Sequence, residues 1–354
     1  MNVTGTPAGK TSAAANATIR DVAREAGVSV ASVSRALNGL GTVRPEMRRH
    51  VEEVAARLGY VPHAGARNLS LARSGAIGVV LPDLHGEFYS ELLRGMDGEA
   101  RVRGLHLMLM VMHDEATRGV AALQSMRGRV DGLVLMAPHL PADELLRHLP
   151  AGMPVVLLNC ADDARASLRI DNAAGAEAMV DHLIASGRRA IVHISGPAGN
   201  VDADERLRGA QTACARAGVD LCVLHGDFDQ GSGSRAVATL LAEETAFDAI
   251  FAANDMMAIG AMMALREAGV SVPEHVAIAG FDDIPLARLI SPALTTLSIE
   301  IADFGGSAVA RLAQVIAGED DGTPERRAPV LVARQSTSSI INTIPADRAH
   351  REEA

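Results

Sequence analysis

From Ala76 onward, the chain alternates short, nearly continuous apolar runs with segments of helical periodicity. The runs have the length and composition of buried β-strands; they are AIGVVLP, LHLMLMV, GLVLMAP, PVVLLNC, AIVHISG, LCVLHGDF, AIFAAND and VAIAGFDD. Continuous apolar strands separated by helices are typical of parallel sheets covered on both faces. Because eight or more strands over about 265 residues suit two sheets better than one, the pattern predicts an α/β core of two parallel-sheet subdomains.

The first part of the chain has a different pattern, that of three short helices. Thr18 and Asp21 can form a capping box at the start of the first helix, and Gly27 ends that helix. Pro45 suits the first position of the third helix, which Gly59 ends. Two helices joined by a tight glycine turn and braced by a third make a helix-turn-helix, so we expect an all-α head.

Charge is distributed unevenly between these two parts. Residues 1–74 carry ten Lys and Arg against five Asp and Glu, whereas the remaining 280 residues carry 23 against 38. A basic head on an acidic body indicates that only the head meets a polyanion. No apolar stretch approaches the ~20 residues of a membrane span, and the first 17 residues lack the apolar run of a signal peptide. Together with three cysteines in no paired pattern, this predicts a cytoplasmic protein without a membrane partner.

The second helix of the head, in the stretch VSVASVSRALN, divides into an apolar face and a small, polar face. The polar face consists of Ala31, Ser34, Arg35 and Asn38. A slim surface with a few polar groups suits the DNA major groove, where arginine can bond guanine in two places. The helix pattern alone equally allows a small helical bundle with an incidental arginine on its surface.

The residues themselves carry a wider likeness. The stretches TIRDVAREAGVSVASVSRALNG and TVRPEMRRHVEEVAARLGYVPHAGARNL closely resemble the DNA-binding region of the lactose-repressor/galactose-repressor (LacI/GalR) family. The resemblance continues through LPDLHGEFYSELLRG, ERLRGA, AANDMMAIGAMMALREAG, AGFDDIPLARLISPALTTL and VLVARQSTSS. It implies a periplasmic-binding-protein-like core of two α/β subdomains in a dimeric or tetrameric repressor. Such a protein is a DNA-binding regulator controlled by a small effector, and not an enzyme.

The same resemblance implies roles for residues of the head. Val30, Ala31 and Arg35 fall on positions that face the bases of the operator, a pseudo-palindromic double-stranded DNA site. Ser29, Ser32 and Ser34 would cap the helix and contact phosphates. The expected DNA-binding residues of the head are therefore Thr18, Ser29, Val30, Ala31, Ser32, Ser34, Arg35 and Asn38.

A linker rich in small residues and arginine follows the head. Its segment HAGARNL resembles the hinge helix of the family, which implies that Leu69 and its dimer mate wedge into the minor groove at the centre of the operator. Arg67 and Asn68 would lie in the same contact. Gly65 costs about 1 kcal/mol of helix stability, so we expect this hinge to be helical only on DNA. The alternative for Leu69 is an ordinary apolar contact within the linker.

Candidate effector-binding residues lie after predicted strands, where open α/β proteins bind ligands. Asn254 and Asp282 follow strands directly, and the resemblance adds four further positions; the set is Phe88, Tyr89, Arg206, Phe228, Asn254 and Asp282. Polar groups of this kind can satisfy the hydroxyls of a sugar while an aromatic ring covers its C–H face. We therefore expect a carbohydrate effector, with purines, nucleosides or a phosphosugar partner protein as alternatives. Arg206 could instead form a structural salt bridge, and Asp255 is expected to be a helix cap.

Other functional classes have weaker support. Residues 231–236 fit the dinucleotide pattern G-x-G-x-x-A, but four residues separate them from the preceding strand, so we expect no dinucleotide, cofactor or metal. A transport protein would share the core but not the basic head, and an enzyme would need a nucleophile–base or phosphate-loop signature.

The expected organisation divides the chain into five parts. These are a disordered tail (1–17), the helix-turn-helix head (18–62), a hinge (63–75), a core (76–342) and a second tail (343–354). Within the core, we expect an N-subdomain of about 76–160 and 298–326 and a C-subdomain of about 161–297 and 327–342.

Overall fold

A computed structural model describes residues 17–38, 43–60, 74–112, 116–140, 147–149, 152–160 and 166–338. The chain separates into two compact units, residues 1–75 and 76–354. In the described ranges, no helix is long and apolar enough to cross a membrane. Within the same ranges, no group of three or more His, Cys, Asp and Glu side chains could hold a metal ion.

The first unit is a bundle of three helices with a core of its own. The helices are α1 (Ile19–Glu25), α2 (Val30–Leu37) and α3 (Pro45–Arg57). Each helix contributes a completely buried valine to one apolar cluster; these are Val22, Val33 and Val51. The apolar residues of the three helices therefore recur at helical spacing because they all face this cluster.

The second unit begins with a sheet whose described strand pairs are all parallel. Its strands are β1 (Ala76–Leu81), β2 (His106–Val111), β3 (Leu133–Met136), β4 (Val155–Leu158), β5 (Ser167–Ile170) and β11 (Glu325–Arg327). They lie in the order β11-β5-β4-β3-β1-β2. The helices of this N-subdomain are α4 (Glu87–Val102), α5 (Ala116–Met126) and α10 (Ile301–Ala317).

The C-subdomain is built on a second parallel sheet. Its strands, in the order β7-β6-β8-β9, are β6 (Ala190–Ser195), β7 (Asp220–His225), β8 (Ala249–Ala252) and β9 (Ala277–Ala279). Its helices are α6 (Asn172–Ala185), α7 (Val201–Ala217), α8 (Gln230–Ala242) and α9 (Asp255–Glu267). An antiparallel pair, β10 (Thr296–Ser298) and β12 (Val330–Val332), completes it.

The boundary between the subdomains differs from the expected one. We predicted that the C-subdomain starts at residue 161, but β5 pairs with β4 in the first sheet, with Leu168 opposite Leu158. The chain therefore crosses over after Ile170, where α6 begins. The second expected limit, at about residue 326, lies within one residue of the end of β11 at Arg327.

Glycines allow two helices of the N-subdomain to approach closely. A Cβ atom at Gly95 of α4 would lie 1.7 Å from the carbonyl oxygen of Ala302, and one at Gly305 of α10 would lie 2.3 Å from that of Leu92. By contrast, a Cβ atom at Gly98, also in α4, would meet nothing within 4 Å. The contact between α4 and α10 therefore depends on particular glycines and not on glycine content.

The glycine-rich stretch at 231–236 serves a similar purpose. It lies inside α8, whose N-cap Asp229 accepts a hydrogen bond from the backbone of Ser232. A Cβ atom at Gly233 would lie 2.0 Å from the carbonyl oxygen of Met257 in α9. Gly233 therefore belongs to a helix–helix contact, which supplies a structural reason for this glycine of the pattern.

Candidate functional site

The exposed face of α2 is small and carries one cation. Val30 is 42% exposed, and Ala31 and Arg35 are also exposed, whereas Val33 and Ala36 on the opposite face are buried. An accessible slim helix face with a long cationic side chain fits the space of a DNA major groove.

The serines of this helix are engaged with one another and with its backbone. Ser29 caps α2 because its Oγ accepts a hydrogen bond from the backbone N–H of Ser32 at 3.1 Å, and the two hydroxyl oxygens are 2.9 Å apart. Ser34 accepts a hydrogen bond from the amide of Asn38 at 3.3 Å. These groups thus stabilise the helix whether or not they also reach a phosphate.

Thr18 lies at the start of the first helix, as expected. Its backbone N–H and its hydroxyl donate to the same carboxylate oxygen of Asp21, at 3.0 and 2.7 Å. The remaining predicted DNA contacts, Arg67, Asn68 and Leu69, lie outside the described residues.

The six predicted effector-binding residues line one cleft between the subdomains. The cleft contains about 660 Å³ of empty space, including part of its open mouth. The N-subdomain contributes His85, Gly86, Phe88, Tyr89, Met136, Pro138 and His139. The C-subdomain contributes Asn200, Asp202, Arg206, Phe228, Asn254, Met256, Asp282 and Ile284. The wall of the N-subdomain is mostly apolar, and the carboxylates and the arginine of the cleft come from the C-subdomain.

Arg206 is held on every side by the protein itself. Its Nε donates to Asn172 Oδ1 at 2.8 Å, and its Nη1 donates to the carbonyl oxygen of Ala253. The guanidinium lies over the ring of Phe281, 3.7 Å from its centroid, and its Nη2 is 3.5 Å from Asp282 Oδ1. The structural and the ligand-binding interpretations of Arg206 are therefore compatible, because a fixed guanidinium also forms part of the cleft wall.

Asp282 has an incompletely satisfied carboxylate. Its Oδ1 is buried and accepts no hydrogen bond from the residues that the structure describes. Burial raises the pKa of Asp282 to about 7, although Arg206 opposes the shift. A buried acceptor without a donor is energetically costly, and here it lines a cleft that a ligand can enter.

Asp202 is a second carboxylate of the cleft, which the sequence analysis did not identify. It lies in the first turn of α7, four residues before Arg206, and its Oδ1 accepts from Asn172 Nδ2 at 2.9 Å. Burial raises its pKa to about 6. The spacing of four residues on a helix was the available signal, because it places both side chains on one face.

Asn254 is bonded to the backbone of Phe228, the aromatic residue that the C-subdomain contributes to the cleft. It caps α9 by accepting from the N–H of Met257, and its Nδ2 donates to the carbonyl oxygen of Phe228, both at 2.9 Å. Phe228 has a φ of +63°, a strained conformation for a bulky residue. Its ring lies so close to Gly196 that a Cβ atom there would be 2.4 Å from it. Asn254 thus lines the cleft as predicted, and it also positions Phe228.

Asp255 is not the cap of α9, so that expectation was wrong. The cap is Asn254, and Asp255 is completely buried at the first helical position. Its carboxylate accepts from the backbone N–H of Ile284 and from the hydroxyl of Thr296. It therefore fixes the loop that carries Asp282, behind the wall of the cleft.

Polar contacts join the two subdomains around the cleft. On one side, Glu87 Oε2 accepts from the backbone N–H of Leu286 at 3.0 Å. On the other, the N–H of Val201 donates to the carbonyl oxygen of Pro138 at 3.1 Å. Behind the cleft, Arg169 of β5 and Glu205 of α7 form a buried ion pair at 2.6 Å. A change in the separation of the subdomains would have to alter these contacts.

Comparison with known proteins agrees with this two-part organisation. Residues 18–63 match the family model for bacterial regulatory proteins of the lacI family, and residues 180–337 match that for a periplasmic binding protein-like domain. The ribose operon repressor of Halalkalibacterium halodurans is 34% identical over 329 residues, which are 92% of this chain and 98% of that protein. Catabolite control protein A of Priestia megaterium is 33% identical over 301 residues, 83% of this chain and 91% of that protein.

Solved structures show the same likeness. The lac repressor dimer bound to operator and the anti-inducer ONPF has a TM-score of 0.85 at 28% identity, over 91% of this chain and 99% of that one. Because the ribose operon repressor is matched over nearly its whole length, and the two family models fall on the two units described above, the chain belongs to the LacI family of bacterial regulatory proteins.

Proposed function

We propose that this chain is a cytoplasmic repressor whose affinity for a DNA operator is set by a carbohydrate bound in the cleft. As a LacI-family member it is a transcriptional regulator and not an enzyme. The observation that carries the proposal is the single cleft that gathers Phe88 and Tyr89 of one subdomain with Arg206 and Asp282 of the other. Aromatic and apolar surface facing fixed polar groups is the chemistry that a sugar requires.

The DNA-binding half of the proposal rests on α2. Val30, Ala31 and Arg35 form its exposed face and would read base edges in the major groove. Two heads of a homodimer would bind the two halves of a pseudo-palindromic operator, with Arg67, Asn68 and Leu69 of each chain in the minor groove at its centre. The solved lac repressor that this chain resembles is a dimer bound to operator.

The regulatory half follows from the position of the cleft. A ligand that contacts both walls has a different affinity for each relative placement of the subdomains, and this difference is what shifts the population between states. Relatives support the sugar class: four are named ribose operon repressors, and a solved structure is that of a regulator in complex with cellobiose.

Two linked measurements test this function. A thermal-shift screen of mono- and disaccharides on the full chain should find at least one that raises its melting temperature, because a ligand that binds only the folded state stabilises it. The same sugar should then change the affinity for operator in a gel-shift assay, measured at one fixed salt concentration. DNA binding without sequence preference, or a sugar that binds without changing operator affinity, would contradict the proposal.

A further inference from the structure

We propose that Asp202 and Asp282 act as a pair of hydrogen-bond acceptors that selects an unphosphorylated, hydroxyl-rich effector and rejects its phosphate ester. The inference rests on the proposed function, since it specifies the class of carbohydrate that the same cleft accepts. It also makes Asp202 a specificity-determining residue beside Asp282.

Two carboxylates of the cleft have few hydrogen-bond donors within the described part of the protein. Oδ1 of Asp282 is buried and accepts no hydrogen bond from the described residues, although Nη2 of Arg206 lies 3.5 Å away. The described residues donate one hydrogen bond to the carboxylate of Asp202, from Asn172 Nδ2 to Oδ1. Both side chains line the cleft and are less than a tenth exposed. Carboxylate oxygens in this state need donors, and the hydroxyls of a polyol are donors.

Arg206 is the one arginine in the described wall of the cleft. Arg206 already donates to Asn172 and to the carbonyl oxygen of Ala253, and its Nη2 lies beside Asp282. Two carboxylates therefore accompany one guanidinium, which already faces one of them, Asp282, across 3.5 Å. Above pH 7, where both carboxyls are ionised, a phosphate with a charge of about −1.5 to −2 would meet this excess of negative charge in a poorly solvated site.

Helix N-termini bind phosphates well when their backbone N–H groups are free, but two of those at the cleft are capped by asparagine side chains. Asn200 Oδ1 accepts from the backbone N–H groups of Asp202 and Ala203, so the first turn of α7 is already capped. Asn254 caps α9 in the same way. The N-terminus of α4 has no side-chain cap, but its first turn carries Glu87, whose carboxylate would repel an anion.

One of the two histidines of the cleft is engaged as a hydrogen-bond acceptor, and the other lies at the mouth. Because Asn200 Oδ1 accepts from the backbone of α7, its Nδ2 faces His139 Nε2 at 3.3 Å. An amide nitrogen can only donate, so Nε2 of His139 accepts this hydrogen bond. His85 is exposed at the mouth of the cleft.

Calorimetric titration of the full-length protein at pH 8 tests the inference with matched ligand pairs. The pairs are ribose and ribose 5-phosphate, glucose and glucose 6-phosphate, fructose and fructose 6-phosphate, and galactose and galactose 1-phosphate. We expect at least one parent sugar to bind, and its ester to bind roughly tenfold more weakly or worse. An ester that binds as tightly as its parent overturns the inference and leaves the proposed sugar effector intact. Binding of neither member in any pair, together with no stabilising sugar in the thermal-shift screen, contradicts the proposed effector class as well.

Two variants of α7 assign the selectivity to Asp202. Asp202→Asn keeps the shape and the oxygen that accepts from Asn172, but it removes the charge. We expect weaker binding of the parent sugar, by roughly tenfold, and a smaller ratio between parent and ester. Asp204→Asn is the control, because Asp204 lies in the same helical turn but is exposed and does not line the cleft.

Each outcome for these variants is decisive. If Asp204→Asn changes the ratio as much as Asp202→Asn, the selectivity comes from long-range charge and the assignment to Asp202 is wrong. If Asp202→Asn binds both ligands as the parent protein does, Asp202 is not a specificity-determining residue. An unchanged melting temperature without ligand shows that the variants are folded.

Discussion

Arg35 is the exposed cation of α2, and its guanidinium lies on the same face as Val30 and Ala31. We expect Arg35→Ala to weaken operator binding by 1–3 kcal/mol and to relax the base preference at one position, because a bidentate contact to guanine carries that much discrimination. Gel-shift titrations with operator and with random DNA at constant salt measure both effects. Arg24→Ala, which removes an exposed arginine from α1, is the control. Equal losses on operator and random DNA for Arg35→Ala would contradict base reading.

Asp282 links the stability of the core to pH. Its folded-state pKa of about 7 is above the ordinary value for an aspartate, so between about pH 4 and 7 the folded protein holds a proton that the unfolded chain has released. This contribution to stability is complete below pH 4 and is lost as the pH rises through 7.

We therefore expect Asp282→Asn to gain stability relative to the parent protein as the pH rises from 4 to 7, and the gain to level off above that. Urea denaturation at pH 5 and pH 7.5 measures the difference in the free energy of unfolding. The exposed Asp204→Asn serves as the control for a change in net charge. If the free energies of unfolding of Asp282→Asn and of the parent protein change equally between the two pH values, Asp282 does not bind a proton in the folded state over this range.

At this scale, the sequence predicted residues that line one cleft but not the hydrogen-bond partners of those residues. All six predicted effector residues line the cleft, because the carboxyl ends of parallel strands and the start of α4 meet there. Asp202 was missed because nothing in its immediate neighbours marks it as buried. The double role of Asn254 was also out of reach, since its contact with Phe228 joins two loops that lie 26 residues apart.

Among the elements, the contact between α4 and α10 gives a direct test of close packing. We expect Gly95→Ala to destabilise the core by several kcal/mol, because its methyl group would overlap the backbone of Ala302. Gly98→Ala in the same helix should be neutral or stabilising by up to about 1 kcal/mol, since its methyl group meets open space. Chemical denaturation of both variants measures the contrast. Similar stabilities for the two variants would show that α4 and α10 can separate without cost.

The strands show why some elements were predictable and others were not. The eight apolar runs all became strands of the two sheets. Six of these strands are buried along nearly their whole length, whereas the edge strands β2 and β7 are only partly buried. The missed strand β5, SLRI, contains Arg169, whose charge is buried against Glu205. The sequence does not reveal the pairing of Arg169 with Glu205, because the two residues lie 36 positions apart. Since β5 was missed, the expected subdomain boundary fell before this strand instead of after it.

In the whole molecule, two separate apolar cores predict two unfolding transitions. The cluster around Val22, Val33 and Val51 contains residues of the first unit alone. Differential scanning calorimetry should therefore show a small transition for this unit and a larger one for the core. An effector should raise the melting temperature of the larger transition only, because the cleft belongs to it.

Val51→Ala is the matched perturbation. It should cost the head about 2 kcal/mol and lower only the smaller transition, because it opens a cavity in that cluster alone. Leu92→Ala, at a fully buried position of α4, should lower only the larger one. A single transition that moves with both variants would mean that the two units unfold together.

Arg206 joins α7, the crossover at Asn172, the end of β8 and the loop of Asp282 through one guanidinium. This has a consequence for how the effector preference of such a protein can diverge. A substitution at Arg206 would disturb all four segments at once, so a lineage that acquires a new effector is constrained to keep it. Phe88, Tyr89 and Asp202 have fewer structural obligations, and they are the positions where a library selected for altered induction should concentrate its successful variants.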